Sequence, residues 1–161
     1  MVSYSPEVQQ LLHLFKFHQK TLVRHIFGYL VKEFLRQYPL PLSSYDCLMP
    51  IPLYPVRLRE RGYNQSLMIA QIIQNFYSLN VLEKTLLRVK PTQPQSILGQ
   101  KERWTNVIGA FKMSPNFSIK DKSVLLVDDL LTTGATASQA AQTLKEAGAK
   151  RVGLFVIALA E

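Results

Sequence analysis

The sequence predicts an α/β fold in which a central, mostly parallel sheet is flanked by helices. Two stretches carry that prediction. Residues 124–138, VLLVDDLLTTGATAS, read as a strand, a pair of carboxylates, a Thr/Gly turn and the start of a helix. Residues 152–159, VGLFVIAL, read as the last buried strand and complete a β–α–β unit with the segment before them. The run 124–127 is short, apolar and rich in β-branched valine, as expected of a parallel strand covered on both faces. Ala137, Ala140, Ala141 and Leu144 mark the helix, and Gly148 is placed to stop it.

The other elements follow from periodicity and punctuation. Residues 19–36 form a periodic helix, within a helical N-terminal segment of about 7–37. Leu22, Ile26, Leu30 and Phe34 run beside Val23, Phe27, Val31 and Leu35, while Arg24, His25, Lys32, Glu33 and Arg36 take the other side. Such a face is expected to pack on a sheet. Pro39 and Pro41 break the pattern into a linker. A short strand over 45–51 leads to a Pro/Arg-rich loop with Arg57, Arg59 and Arg61, where Gly62 permits a sharp turn. A helix follows over 64–77, with Asn64 as N-cap and Ile69, Ile72, Ile73 and Phe76 as its apolar positions. Residues 81–90 read as one more strand. The stretch 91–103, PTQPQSILGQKER, is polar and rich in Pro and Gln, and its structure is open.

Chemistry is expected where strand 124–127 ends, because ligands of open α/β sheets bind at the carboxyl ends of the strands. Asp128 and Asp129 stand there. The helix N-terminus behind them offers unpaired amides and a dipole that favours an anion. Thr132, Thr133 and Thr136 add hydroxyl donors, and Gly134 lets the backbone come close. Residues 132–136 therefore make a cradle for one phosphate. Two carboxylates beside it repel a second phosphate but accept hydrogen bonds from sugar hydroxyls. The ligand this implies is a sugar phosphate with a free diol. A helix cap or a solvated acidic pair is the bland alternative. The chain has no GxxxxGK[ST], which argues against a P-loop nucleotidase, and a receiver domain would carry its acidic pair after the first strand. The arginines at 57, 59 and 61 read as a second anion site, since guanidinium forks bind phosphate oxygens, with three solvated surface arginines as the alternative.

VLLVDDLLTTGAT resembles the phosphoribosyl-pyrophosphate (PRPP) motif of type I phosphoribosyltransferases. More narrowly, the chain resembles the competence-associated ComF family. The segments that carry this match are PIPLYPVRLRERGYNQS (50–66), RVKPTQPQSILGQKERWTNVIGAF (88–111) and LFKF (14–17), in the family's order. The resemblance implies a type I phosphoribosyltransferase-like fold and transfer of ribose 5-phosphate from PRPP to an acceptor, with release of pyrophosphate. By that match Leu131, Thr132, Thr133, Gly134, Ala135 and Thr136 hold the 5-phosphate, and Asp128 and Asp129 hold the ribose diol. Arg57, Arg59, Arg61 and Gly62 take the pyrophosphate. A mobile loop bearing Gln95, Lys101, Arg103 and Asn106 closes over the substrate, with Lys101 and Arg103 as catalytic candidates beside the acidic pair. Mg²⁺ is held through PRPP and water, with no direct protein ligand. Type I relatives are often dimers, so a homodimer is expected by analogy. Many ComF members begin with a four-cysteine zinc module, and no such cysteine set occurs in this sequence. The family is known for DNA uptake, so competence proteins are candidate partners, with single-stranded DNA as the lesser alternative. A PRPP- or nucleotide-sensing adaptor without turnover is the alternative to an enzyme.

Composition bounds the rest. The 161 residues suit one domain with a single core, and 47% hydrophobic with 19% charged residues fits a soluble globular chain. No apolar run approaches the roughly 20 residues of a membrane-spanning helix. Lys16, Lys20 and Arg24 interrupt the N-terminal apolar pattern and argue against a signal peptide. The one cysteine, Cys47, cannot form an internal disulfide and reads as a buried thiol, which fits a cytoplasmic setting. His13, His18 and His25 lack companions at metal-ligand spacing. The net charge of +8 points to an anionic partner: phosphorylated substrate, nucleic acid or a membrane surface. Phe15, Phe17, Tyr54, Tyr63 and Trp104 could stack on bases, although scattered aromatics are more often core.

Overall fold

A computed structural model describes residues 2–3, 21–92 and 100–159. The elements in chain order are β1 (Val2–Ser3), α1 (Thr21–Gln37), β2 (Cys47–Pro50), α2 (Pro55–Arg61), α3 (Gln65–Tyr77), β3 (Asn80–Val81), β4 (Leu86–Arg88), α4 (Gln100–Asn106), β5 (Phe111–Met113), β6 (Ser123–Leu131), α5 (Ala135–Glu146) and β7 (Arg151–Leu159), with a 3-10 turn at Leu42–Ser44. Among the described residues, five strands form one sheet in the order β1–β7–β6–β2–β3, every pair parallel. A separate antiparallel pair joins β4 to β5. The predicted parallel α/β fold is therefore the observed one.

Alternation along the strands builds two cores. Val124 and Leu126 of β6 join Cys47, Met49, Ala140 and Leu144 on the α5 side. Leu125 and Val127 join Leu48, Ile69, Ile73, Val31 and Leu35 on the side of α1 and α3. Residues 124–127 are all buried, which is why this strand reads as an unbroken apolar run.

Several boundaries differ from expectation. The strand predicted over 45–51 is confined to Cys47–Pro50. The Pro/Arg-rich loop contains a two-turn helix, α2, started by Pro55 at its first position and ended by Gly62 in a left-handed conformation (φ 78°). The single strand over 81–90 is two strands, β3 and β4, in different sheets. In α1, Val31 and Leu35 are buried while Leu30, expected on the apolar face, is exposed. The helix packs partly on α3, where a Cβ at Gly28 would lie 3.6 Å from Ile72 Cδ1. The N-terminal part of the expected 7–37 segment falls outside the described residues as far as residue 20.

The start of β7 is latched to the segment before β2. The Arg151 guanidinium lies 4.4 Å from the centre of the Tyr45 ring, and its Nη2 donates to the Ser44 carbonyl at 2.9 Å and to the Ser44 hydroxyl. Tyr45 lies across β7 at Gly153, where an added Cβ would collide with the phenol hydroxyl. Gly153→Ala is expected to cost about 1–3 kcal/mol through this overpacking, measured as a lower urea midpoint without a change in slope.

Cys47 is buried in β2. Burial pushes its thiol above the ordinary value, with Lys122 partly opposing the shift. Because the thiolate is the reactive form, Cys47 should resist a disulfide thiol reagent at neutral pH in the folded chain and react fully in denaturant. Rapid labelling of the native protein would contradict this packing.

Candidate functional site

The site begins where two strands part. Parallel pairing of β2 with β6 ends at Pro50↔Val127, and Ile51 N–H makes one more bond to the Val127 carbonyl at 2.9 Å. Pro52 has no N–H with which to continue the ladder. On its other side β6 stays paired with β7 as far as Leu131↔Leu159. Asp128 and Asp129 lie in this half-paired stretch, inside the strand rather than beyond its end. Asp129 is buried and Asp128 half-buried.

The acidic pair is tied to the start of α3. Asp128 Oδ1 accepts from Ser66 Oγ at 2.9 Å and from the Asp129 N–H at 2.9 Å. Asn64 caps α3 as predicted, its Oδ1 accepting from Ser66 N–H at 3.0 Å. Its Nδ2 donates to the Ile51 carbonyl at 3.0 Å, linking the helix start to the end of β2.

Leu131 ends β6, and Thr132 and Thr133 lead to Gly134, the N-cap of α5, at φ 78°. A Cβ at Gly134 would meet only Leu131 Cδ1 at 3.8 Å, so glycine is favoured by backbone conformation rather than space. Ser138 N–H bonds back to the Gly134 carbonyl at 2.8 Å, and Ala135 N–H approaches Thr133 Oγ1 at 3.5 Å. The first-turn amides of α5 thus face the turn. Asp128, Leu131, Thr132, Gly134 and Thr136 line one small recess, while Ala135 is buried in the core. Carboxylate and helix N-terminus therefore share a recess.

The three predicted arginines separate. At about 100° per residue, Arg57 and Arg61 share a face of α2 while Arg59 points elsewhere and is exposed. Arg57 pairs with Glu60 at 3.7 Å. Arg61 is half-buried, and its Nη1 donates to Gln65 Oε1 at 2.8 Å. Burial pushes the Arg61 guanidinium below its ordinary value, and attraction to Asp129 draws it back. Gly62 closes the helix, donating to the Leu58 carbonyl at 2.8 Å. Lys101 belongs to α4, but its side chain, that of Arg103 and all of Gln95 lie outside the described residues, whereas Asn106 ends α4.

One cation escaped the sequence reading. Arg88, at the end of β4, has its guanidinium lowered by burial, with Asp128 attracting it and Arg57 opposing. It lies 5.5 Å from the centre of the Phe111 ring, and its Nη2 donates to Thr92 Oγ1 at 2.5 Å. Its Nε has no hydrogen-bond partner among the described residues. The available signal was alternation: Leu86 is buried and Leu87 exposed, so an arginine at 88 takes the inward phase. Gln65 and Ser66 were visible only as the opening of a helix. Both are buried polar residues in phase with Ile69, Ile72 and Ile73.

No three His, Cys, Asp or Glu side chains among the described residues gather as a metal site. The acidic pair offers hard oxygen donors, but too few to encage an ion without a ligand's help. A Mg²⁺ ion brought in by a bound ligand would find hard oxygen donors here.

Comparison with known proteins agrees with this architecture. Residues 67–160 match the family described as phosphoribosyl transferase domain. The chain is 29% identical to competence protein F of Haemophilus influenzae over 98% of its own length and 70% of that protein's. It is 32% identical to competence protein ComFC of Streptococcus pneumoniae, over 95% of this chain and 64% of that one. Among solved structures, the glutamine PRPP amidotransferase of B. subtilis overlays 83% of this chain and 26% of its own, at 18% identity and a TM-score of 0.54, a likeness of fold alone. With motif order, parallel sheet and family match in agreement, the chain belongs to the phosphoribosyl transferase domain family, in its competence-associated ComF branch.

Proposed function

We propose that this protein binds PRPP with Mg²⁺ and transfers its ribose 5-phosphate unit to an acceptor, releasing pyrophosphate. The observation that carries the reading is the recess in which Asp128 faces the N-terminal turn of α5. The amides and hydroxyls of residues 132–136 would hold the 5-phosphate, and Asp128 and Asp129 would accept hydrogen bonds from the ribose diol. Arg61 and Arg88, each attracted to one of these carboxylates, are the cations suited to the pyrophosphate. Bound Mg²⁺ would neutralise charge on the leaving group. In the transfer, the bond from the anomeric carbon to the pyrophosphate oxygen breaks as an acceptor lone pair forms the new bond, and the acceptor loses a proton. The chain's contribution is positioning and stabilisation of separating charge. A role in handling incoming DNA follows from the ComF relationship.

The test is calorimetric titration of PRPP with Mg²⁺. The wild type should bind, and Asp128→Asn/Asp129→Asn should lose at least tenfold in affinity. Thr133→Ala/Gly134→Val should lose 5-phosphate binding while the circular dichroism spectrum is kept. Unaltered binding in both variants would refute the site. Pyrophosphate release only when an acceptor is supplied would establish transfer.

A second reading, a nucleotide-responsive adaptor that contacts single-stranded DNA without turnover, draws on a different end of the molecule. Lys120, Lys122, Lys145, Lys150 and Arg151 are exposed around the starts of β6 and β7. Bonds from Lys150 N–H to the Lys122 carbonyl (2.9 Å) and from Lys145 Nζ to the Lys150 carbonyl (3.0 Å) hold them together. This reading predicts oligonucleotide affinity that falls steeply with salt; salt-insensitive or absent binding at low salt would exclude it.

A further inference from the structure

We infer that the segment opening α3 is a positioning device for the site, with Ser66 orienting Asp128 and Gln65 holding Arg61. The inference rests on the proposed PRPP site and assigns a task to residues that the site's own chemistry does not use. A carboxylate on a strand can turn about two side-chain bonds, so two carboxylates serve one diol only if something fixes their planes. Asp128 receives two donors on a single oxygen: the Ser66 hydroxyl, reaching across from a helix 62 residues earlier, and the neighbouring backbone amide. The amide is local and would be present in any such strand. The serine hydroxyl ties the orientation to the tertiary fold.

Gln65 supplies the second arm. It is 2% exposed, and its Oε1 accepts from Arg61 Nη1. Its Nε2 is buried with no hydrogen-bond partner among the described residues. A buried glutamine that satisfies an arginine at one end and has a donor unpaired among the described residues at the other is costly as mere packing. It is intelligible as a holder whose benefit is realised at the site. Asn64 completes the device by fastening the helix start at both its amide groups, to Ser66 N–H and to the Ile51 carbonyl. The end of β2, the start of α3 and the opened stretch of β6 are thus one hydrogen-bonded unit. Ser66 and Gln65 act through Asp128 and Arg61 and are positioning residues.

The two arms make separable predictions when PRPP and ribose 5-phosphate, each with Mg²⁺, are the probes. Ser66→Ala should weaken both by about tenfold, the scale of one hydrogen bond to a charged group. The same substitution in an Asp128→Ala background should cost less than twofold, since the group through which Ser66 acts is gone. Gln65→Met should weaken PRPP severalfold and leave ribose 5-phosphate unchanged, while Gln65→Glu, which keeps an acceptor for Arg61, should restore PRPP binding. Equal losses from Ser66→Ala with and without Asp128 would overturn the serine arm, because a purely structural role is additive. Variants that bind both probes like the wild type would overturn the inference and leave the proposed function standing. A wild type that binds neither probe would overturn both.

Discussion

The molecule is organised around a broken partnership between two central strands. β2 and β6 pair for four residues and then separate, because Pro52 cannot donate to the ladder and the chain turns away into α2. β6 keeps its other neighbour and continues straight. The separation leaves a stretch of rigid strand with one edge given up, and that stretch carries Asp128 and Asp129. A site on a loop would have to be ordered; this one inherits its order from the sheet.

Charge balance explains how two adjacent carboxylates are tolerated in a half-buried place. Asp128 has a hydroxyl, an amide and the field of Arg88, while Asp129 has the field of Arg61. Each arginine is itself destabilised by burial and relieved by a carboxylate. Acids and cations thereby offset one another's burial. Replacing either sign alone would leave the other exposed to the full desolvation penalty. The cations and the carboxylates are thereby coupled through the protein itself.

The β–α–β unit was legible because its signals are local: four consecutive buried residues in β6, small residues on one face of α5, and a glycine at each end of that helix. The acidic pair and the Thr/Gly turn after it lie where that local pattern put them, at the end of β6 and the start of α5. The arginines were not legible, since a Pro-started helix spreads Arg57 and Arg59 apart where a loop reading had gathered them. Arg88 was hidden because residues 81–90 look like one strand, whereas β3 and β4 belong to different sheets. Ser66 was hidden for a deeper reason. Its partner lies 62 positions away, and nothing in a helix opening tells which strand it will meet.

The half-paired strand also constrains how the protein can diverge. A single-residue insertion or deletion between Val127 and Leu131 would shift the register against β7 and turn the side chains beyond it to the opposite face of the sheet. Exchange of one residue for another leaves that register intact, whereas a change of length does not. The α2 segment escapes that rule, for it carries no buried residue and leaves the sheet altogether between β2 and α3. Change of length has an open path there and a closed one at the carboxylates.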